Sequence, residues 1–174
     1  MENFDIIIDF LKTRKLDYLL KVEEREIERI WEIRRNLSPS LKKLAPKKIS
    51  DDVVVPRSKM KDFLFFLRDL EKKFKIYISA FGHIGDGNFH VNILHQEGED
   101  TFALKIREAI LRKVLELGGT LSGEHGVGYS KLPYVIWELS PVQIELMKGI
   151  KKVFDPKGIL NPHIKVPEMS FFSK

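Results

Sequence analysis

Two short stretches concentrate the side chains that could do chemistry. Residues Phe81–Asn92, F-G-H-I-G-D-G-N-F-H-V-N, set two histidines, an aspartate and two asparagines among three glycines. Residues Gly118–Gly128, G-G-T-L-S-G-E-H-G-V-G, set Glu124 and His125 side by side among five glycines. The chain has no cysteine, so a metal could only be held by His, Asp, Glu or water. Asp86-Gly87 predicts a two-residue type I′ hairpin turn, since both central positions need positive φ. That turn pairs Gly85 with Asn88, Ile84 with Phe89 and His83 with His90. Opposed residues share a face with Cβ atoms roughly 4.5–5.5 Å apart, close enough for two imidazoles to grip one ion. Asn92, two residues past His90, points to the same face.

In an extended segment Glu124 and His125 point to opposite sides, so one could face a metal and the other a substrate. His83, His90 and Glu124 would make a two-His, one-carboxylate site with open positions. Such a site polarises a bound oxygen, and His125 beside it suits a general base near neutral pH. Each stretch alone also has a structural reading. Asp-Gly hairpins are common, and a strand histidine usually serves packing. Asp86 belongs to the turn. Gly123–Gly128 fits neither a dinucleotide fingerprint nor a P-loop. His95 and His163 have no partner at informative spacing and read as surface residues.

The elements that must position these residues follow from periodicity. Residues 4–12 and 16–37 read as helices. In the second, Ile27, Ile30 and Trp31 make an apolar face whose next position is Arg34. An arginine there either snorkels outward or reaches a buried polar site. Helix should end before Pro39, leaving Leu37–Ser50 as a loop. Asp52–Val55 is a short strand. Ser58 can cap a helix to Phe74, with Met60, Phe63, Leu64, Leu67, Leu70 and Phe74 inward and Phe65 and Phe66 as a second apolar side. Strands follow at Ile76–Phe81 and Phe89–His95, then a helix from Asp100 or Thr101 to Leu117, stopped by Gly118-Gly119. Thr120–Ser122 is a last short strand, and Ser140-Pro141 starts a helix to Phe154.

The order β-α-β-β-α-β predicts an α+β fold: a ferredoxin-like antiparallel sheet with flanking N- and C-terminal helices. Residues 1–50 form a helical extension and 51–174 the main domain. With 43% hydrophobic residues the chain can bury a core. Its net charge of +5 comes from 30 basic and 25 acidic residues interspersed along helices, which argues against a nucleic-acid stripe. No transmembrane run or signal peptide is visible, so the expectation is a soluble, cytoplasmic protein.

Three motifs in order carry a resemblance. H-I-G-D-G-N-F-H-V-N, G-G-T-L-S-G-E-H-G-V-G and F-D-P-K-G-I-L-N-P resemble the C-terminal, substrate-side domain of FAD-linked oxidases of the vanillyl-alcohol oxidase type. I-W-E-I-R-R-N and K-I-S-D-D-V-V-V-P-R-S extend it upstream, to about Ile30–Val166. The D-2-hydroxy-acid branch fits: the glycolate oxidase flavin subunit, D-lactate dehydrogenase and D-2-hydroxyglutarate dehydrogenase.

The resemblance implies a divalent metal, commonly zinc, at His83, His90 and Glu124, with His125 as the base for the substrate hydroxyl. It implies that Asn92 lies near the substrate oxygen, that Arg34 holds the substrate carboxylate, and that Asn161 contacts the cofactor. A bidentate Arg–carboxylate pair fits a 2-hydroxy acid. Two positions depart: Asn161-Pro162-His163-Ile164-Lys165 stands where relatives often have N-P-G-K, and Ser50-Asp51 where some place a lysine. Nothing in residues 1–50 resembles an FAD-binding half, so FAD is expected mostly on another chain, a FAD-binding subunit or domain. Two other readings stand beside this one: a non-catalytic ferredoxin-like binding or regulatory module that kept the motifs, and a metal-dependent hydrolase.

Overall fold

The computed structural model of the chain describes Thr13, residues 24–162 and Ile164. It divides into two compact units, Met1–Lys43 and Leu44–Lys174. In the first, helix α1 (Glu24–Ser40) runs into a 3-10 turn, Leu41–Lys43. The expected helix 4–12 and the start of 16–37 lie outside the described residues. Helix α1 does not stop before Pro39 but contains it. Pro39 sits one residue from the end, where its missing N–H removes a single ladder bond and the chain then tightens into the 3-10 turn. Ile27, Trp31, Ile33 and Leu37 are all exposed.

The second unit is built on a three-stranded antiparallel sheet in the order β1-β3-β2, with β1 Lys47–Val54, β2 Tyr77–His83 and β3 Asn88–His95. Helix α2 (Met60–Phe74) connects β1 to β2, and α3 (Asp100–Glu116) follows β3. The expected fourth strand is reduced to one antiparallel bridge, Val54 with Thr120, made by bonds of 3.1 and 2.9 Å. It lies outside β1, where a ferredoxin-like fold places its last strand. Strand β1 starts five residues earlier than the sequence reading. The stretch K-K-I-S-D lacks the β-branched run that marks a strand, but it pairs residue for residue with β3, Lys47 with His95 through Val54 with Asn88.

Alternation along the strands sorts the residues. Val53, Phe89, Val91, Ile93 and Ile78 face α2 and α3, where they meet Phe63, Leu67, Ile106, Ile110 and Val114. Phe63 is fully buried, its ring 5.4 Å from that of Phe89. Ser58 does not cap α2: a 3-10 turn, Arg57–Lys59, leads in without a side-chain cap. Phe65 stays exposed, while Phe66 packs against the core. His95, expected at the surface, is 4% exposed on the helix-side face, its Nδ1 3.1 Å from the Gln96 carbonyl.

Helix α4 (Val135–Glu138) is one short turn, and α5 (Pro141–Phe154) begins with a full capping box. Ser140 Oγ accepts from the Gln143 N–H, and Gln143 Oε1 accepts from the Ser140 N–H.

The hairpin register differs from the Asp-Gly expectation. His83 pairs with Asn88, Gly82 with Phe89 and Phe81 with His90, so the loop is Ile84–Gly87. Only Gly87 has positive φ (69°), whereas a type I′ turn needs it at Asp86 too. Gly87 is fixed by a tertiary contact: its carbonyl accepts from the Val55 N–H at 3.0 Å, and a Cβ there would lie 2.1 Å from the Val55 carbonyl oxygen. The slip from the expected register is two residues. An even slip keeps every side chain on its face, so His83 and His90 remain neighbours, now on a diagonal.

Candidate metal and substrate site

The sheet face away from α2 and α3 is unusually polar. It carries Ser50 and Asp52 from β1, Asn88, His90 and Asn92 from β3, and Ser79, Phe81 and His83 from β2. The glycine-rich segment after Thr120 brings Glu124 and His125 to the same place. His83, His90 and Glu124 each offer one ligand atom, all within 4.8 Å of one another. Glu124 Oε1 lies 3.3 Å from His90 Nε2 and 3.6 Å from His83 Nε2. A tetrahedral ion with bonds of roughly 2.0–2.2 Å spaces its ligand atoms about 3.4 Å apart. Both His–Glu edges are close to that span, and the His–His edge is within 4.8 Å. The donor set, two imidazoles and a carboxylate, suits zinc and its first-row neighbours.

Glu124 and His125 do not point to opposite sides. The chain bends at Gly123–His125, and His125 Nε2 comes within 3.7 Å of Glu124 Oε1, its ring 5.4 Å from that of His90. A third imidazole therefore borders the cluster, with its side chain 67% exposed and open to a ligand. Asn92 shares the face of His90 but is 2% exposed. Its Oδ1 accepts from Ser50 Oγ at 2.8 Å and its Nδ2 donates to the His90 carbonyl at 3.2 Å, so it braces the strand beneath the cluster. Ser50, at the departure noted from relatives, is exposed on that face.

Arg34 lies in the helical unit, its guanidinium 5.6 Å from the Trp31 ring centroid. Asn161 is exposed and left-handed (φ 44°), just after the turn organised by Asp155. That carboxylate accepts from the Ile159 and Leu160 N–H groups and pairs with Lys151 at 2.7 Å. His163 is outside the described residues.

The residues that sequence reasoning missed lie under the cluster. Asp51 and Asp52 are adjacent on β1 and point to opposite faces, each at most 6% exposed. On the helix side Asp51 receives a two-pronged bond from Arg107 Nε and Nη2, both 2.7 Å. Arg107 also donates to the Ser130 carbonyl at 3.0 Å. Burial would lower the Arg107 pKa, but Asp51 raises it above its usual value. On the site side Asp52 Oδ1 accepts from Asn88 Nδ2 at 2.7 Å, and Oδ2 accepts from the Glu124 and His125 N–H groups at 2.8 and 2.9 Å. Burial alone would raise the Asp52 carboxyl. The His125 N–H, the Asn88 amide, the Glu124 N–H and the charge of Lys131 outweigh it and hold the group below the ordinary aspartate value.

Lys131, 5% exposed, ties the two segments from below: its ammonium donates to the Asp52 carbonyl and to the Leu121 carbonyl. Burial pulls its pKa down, against the pull of Asp51 and Asp52. The signal available in sequence was parity. An acidic pair on a strand must put one acid toward the helices, and Arg107 sits on the inner stripe of α3 to meet it.

Comparison with known proteins shows the family. The family of FAD linked oxidases, C-terminal domain, matches residues 11–164. Glycolate oxidase subunit GlcD of Bacillus subtilis is 39% identical over 142 residues, 80% of this chain and 30% of that protein. D-lactate dehydrogenase of Anaerostipes hadrus is 42% identical over 115 residues, 64% of this chain and 24% of that protein. D-2-hydroxyglutarate dehydrogenase of Stutzerimonas stutzeri is 36% identical over 154 residues, 84% of this chain and 33% of that protein. The chain thus spans between a quarter and a third of the curated relatives it matches. Among the described residues, no helix is long and apolar enough to cross a membrane. With three motifs, the β-α-β-β-α order and a family match over nearly its whole length, the chain belongs to the FAD-linked oxidase C-terminal domain family.

Proposed function

We propose that this chain is the substrate- and metal-binding part of a FAD-dependent 2-hydroxy-acid dehydrogenase, with FAD held mainly by another chain or domain. The observation that carries the reading is the convergence of His83, His90 and Glu124 on one point, with His125 beside it. A divalent ion bound there would lend Lewis acidity to the hydroxyl and carboxylate oxygens of a 2-hydroxy acid, and FAD would supply the acceptor for the Cα hydride. Two imidazoles and one carboxylate leave open positions for such a substrate.

The chain's own residues do the rest. His125 Nε2 takes the proton of the substrate hydroxyl, a task suited to an exposed imidazole. Glu124 Oε1 lies 3.7 Å from that nitrogen. Asn92 and Ser50 hold β1 and β3 together under the histidines, which keeps the ligand spacing. Asn161 supplies a polar contact toward the flavin side.

The test is reconstitution. The purified chain, combined with a FAD-bearing partner subunit or domain, is assayed for dye reduction with glycolate, D-lactate and D-2-hydroxyglutarate. Turnover of one of these, lost in His125→Ala while the complex still assembles, supports the reading. A stable, FAD-loaded complex inert toward every 2-hydroxy acid favours the non-catalytic module.

A further inference from the structure

We propose that Asp52 is the positioning residue of this site: its carboxylate holds the Glu124-His125 segment against the hairpin histidines. The proposal rests on the site reading above for its metal arm, and on hydrogen bonding alone for its other arm. The antiparallel bridge to β1 ends at Thr120. Beyond it the Gly123 N–H still reaches the Asp52 carbonyl, at 3.4 Å, and the chain then bends. The next two N–H groups, of Glu124 and His125, both converge on Asp52 Oδ2. Two successive N–H groups on one carboxylate oxygen form a small anion-binding nest. That nest sets where the two side chains that follow it emerge.

The other carboxylate oxygen faces the hairpin. Oδ1 accepts from Asn88, the residue paired with His83, and lies 3.9 Å from Nδ1 of His90, the residue paired with Asp52 itself. From its place on β1, one side chain therefore touches or neighbours both β3 and the Glu124-His125 segment. A carboxylate suits the place because all three of its hydrogen-bond partners are donors, and it is acceptor-only. Gly123 keeps the segment close: a Cβ there would lie 2.6 Å from Asp52 Oδ1 and 2.0 Å from Asn88 Nδ2. Asp52 cannot swing away, because Lys131 grips its carbonyl and Arg107 grips Asp51 on the far face.

Asn88 Oδ1 is buried without a partner. That gives Asp52→Asn a way to fit. Its amide oxygen can take the two N–H groups, while Asn88, turned over, offers Oδ1 to the new NH2. The variant keeps the nest but removes the negative charge beside His90. Asp52→Ala removes both.

Two readouts on the purified chain test this. Amide hydrogen exchange should show the Glu124 and His125 N–H groups protected in the wild type, at least about 10-fold less in Asp52→Ala, and largely restored in Asp52→Asn. Val91 and Ile93 in β3 should stay protected in both variants, which separates positioning from loss of fold. Cobalt(II) titration followed by visible absorption should show affinity lowered about 10–100-fold in Asp52→Ala and less in Asp52→Asn. Unchanged protection of both amides in Asp52→Ala overturns the proposal, as does wild-type cobalt affinity in that variant. Should Asp52→Ala fail to fold, Asp52→Asn decides, and Glu124 and His125 amides left unprotected there while Val91 and Ile93 stay protected is the overturning result. A wild type that binds no cobalt(II) refutes the metal reading instead, and Asp52 is then judged on exchange alone.

Discussion

Replacing Arg107 by methionine should cost this fold a large share of its stability, for a reason visible in the geometry. The guanidinium makes two 2.7 Å bonds to Asp51, and both side chains are only 5–6% exposed. Methionine fills much of the same volume, so the main effect is an unpaired carboxylate left in the core. Breaking a buried pair from one side costs about 3–5 kcal/mol. A Coulomb estimate at an effective dielectric of 20 and about 4 Å between charge centres gives about 4 kcal/mol, in agreement. With an m value of about 2 kcal/mol per molar urea, the unfolding midpoint should fall by about 2 M at unchanged m. Arg107→Lys keeps the charge but not the fork and should lie between. The double variant Asp51→Leu, Arg107→Met should recover much of the loss, since neither charge is then stranded. A midpoint shift below about 0.5 M for Arg107→Met, or a double variant no better than the single, would refute the claim that this pair is dry and mutually dependent.

Other outcomes follow from named residues. Phe63→Ala empties a fully buried site against Phe89 and should cost about 3–5 kcal/mol in denaturant unfolding. Ser140→Ala removes the capping-box oxygen of α5 and should cost about 1 kcal/mol by the same assay. Gly87→Ala, placing a Cβ 2.1 Å from the Val55 carbonyl at φ +69°, should lower the melting temperature and speed exchange of the Val55 N–H. Asp52, Asp100 and Asp155 all have carboxyl groups held below the ordinary aspartate value. The native chain then binds fewer protons than the unfolded one on the acid side. Their stabilisation is complete above about pH 4 and is lost as pH falls through the lowered native values, so unfolding free energy should drop there. Asp155→Asn should flatten that acid limb without changing its direction.

Much of the fold was legible because periodicity survives locally. The α2 and α3 stripes, the hairpin strands and Ser140-Pro141 each carry a signal within a few residues. The failures share a cause, which is that a distant contact decides. Asp86-Gly87 reads as a tight turn, yet the Val55 backbone pins Gly87 and opens the loop to Ile84–Gly87. Lys47–Ser50 reads as loop, yet β3 offers a full ladder. The candidate site survived the register error because the slip was even and left both histidines on one face. The support beneath it was not legible. Asp52, Asn88, Gly123 and Lys131 lie 36 to 79 residues apart across their bonds, and no spacing rule links them.

The claim at the centre is that His83, His90 and Glu124 hold one divalent ion. It is tested by metal analysis of the purified chain after loading with zinc and dialysis, beside His83→Ala, His90→Ala and Glu124→Gln shown to be folded by circular dichroism. One ion per chain in the wild type and loss of that ion in each variant is the predicted result. Full metal occupancy in His83→Ala, or none in the wild type, would contradict it.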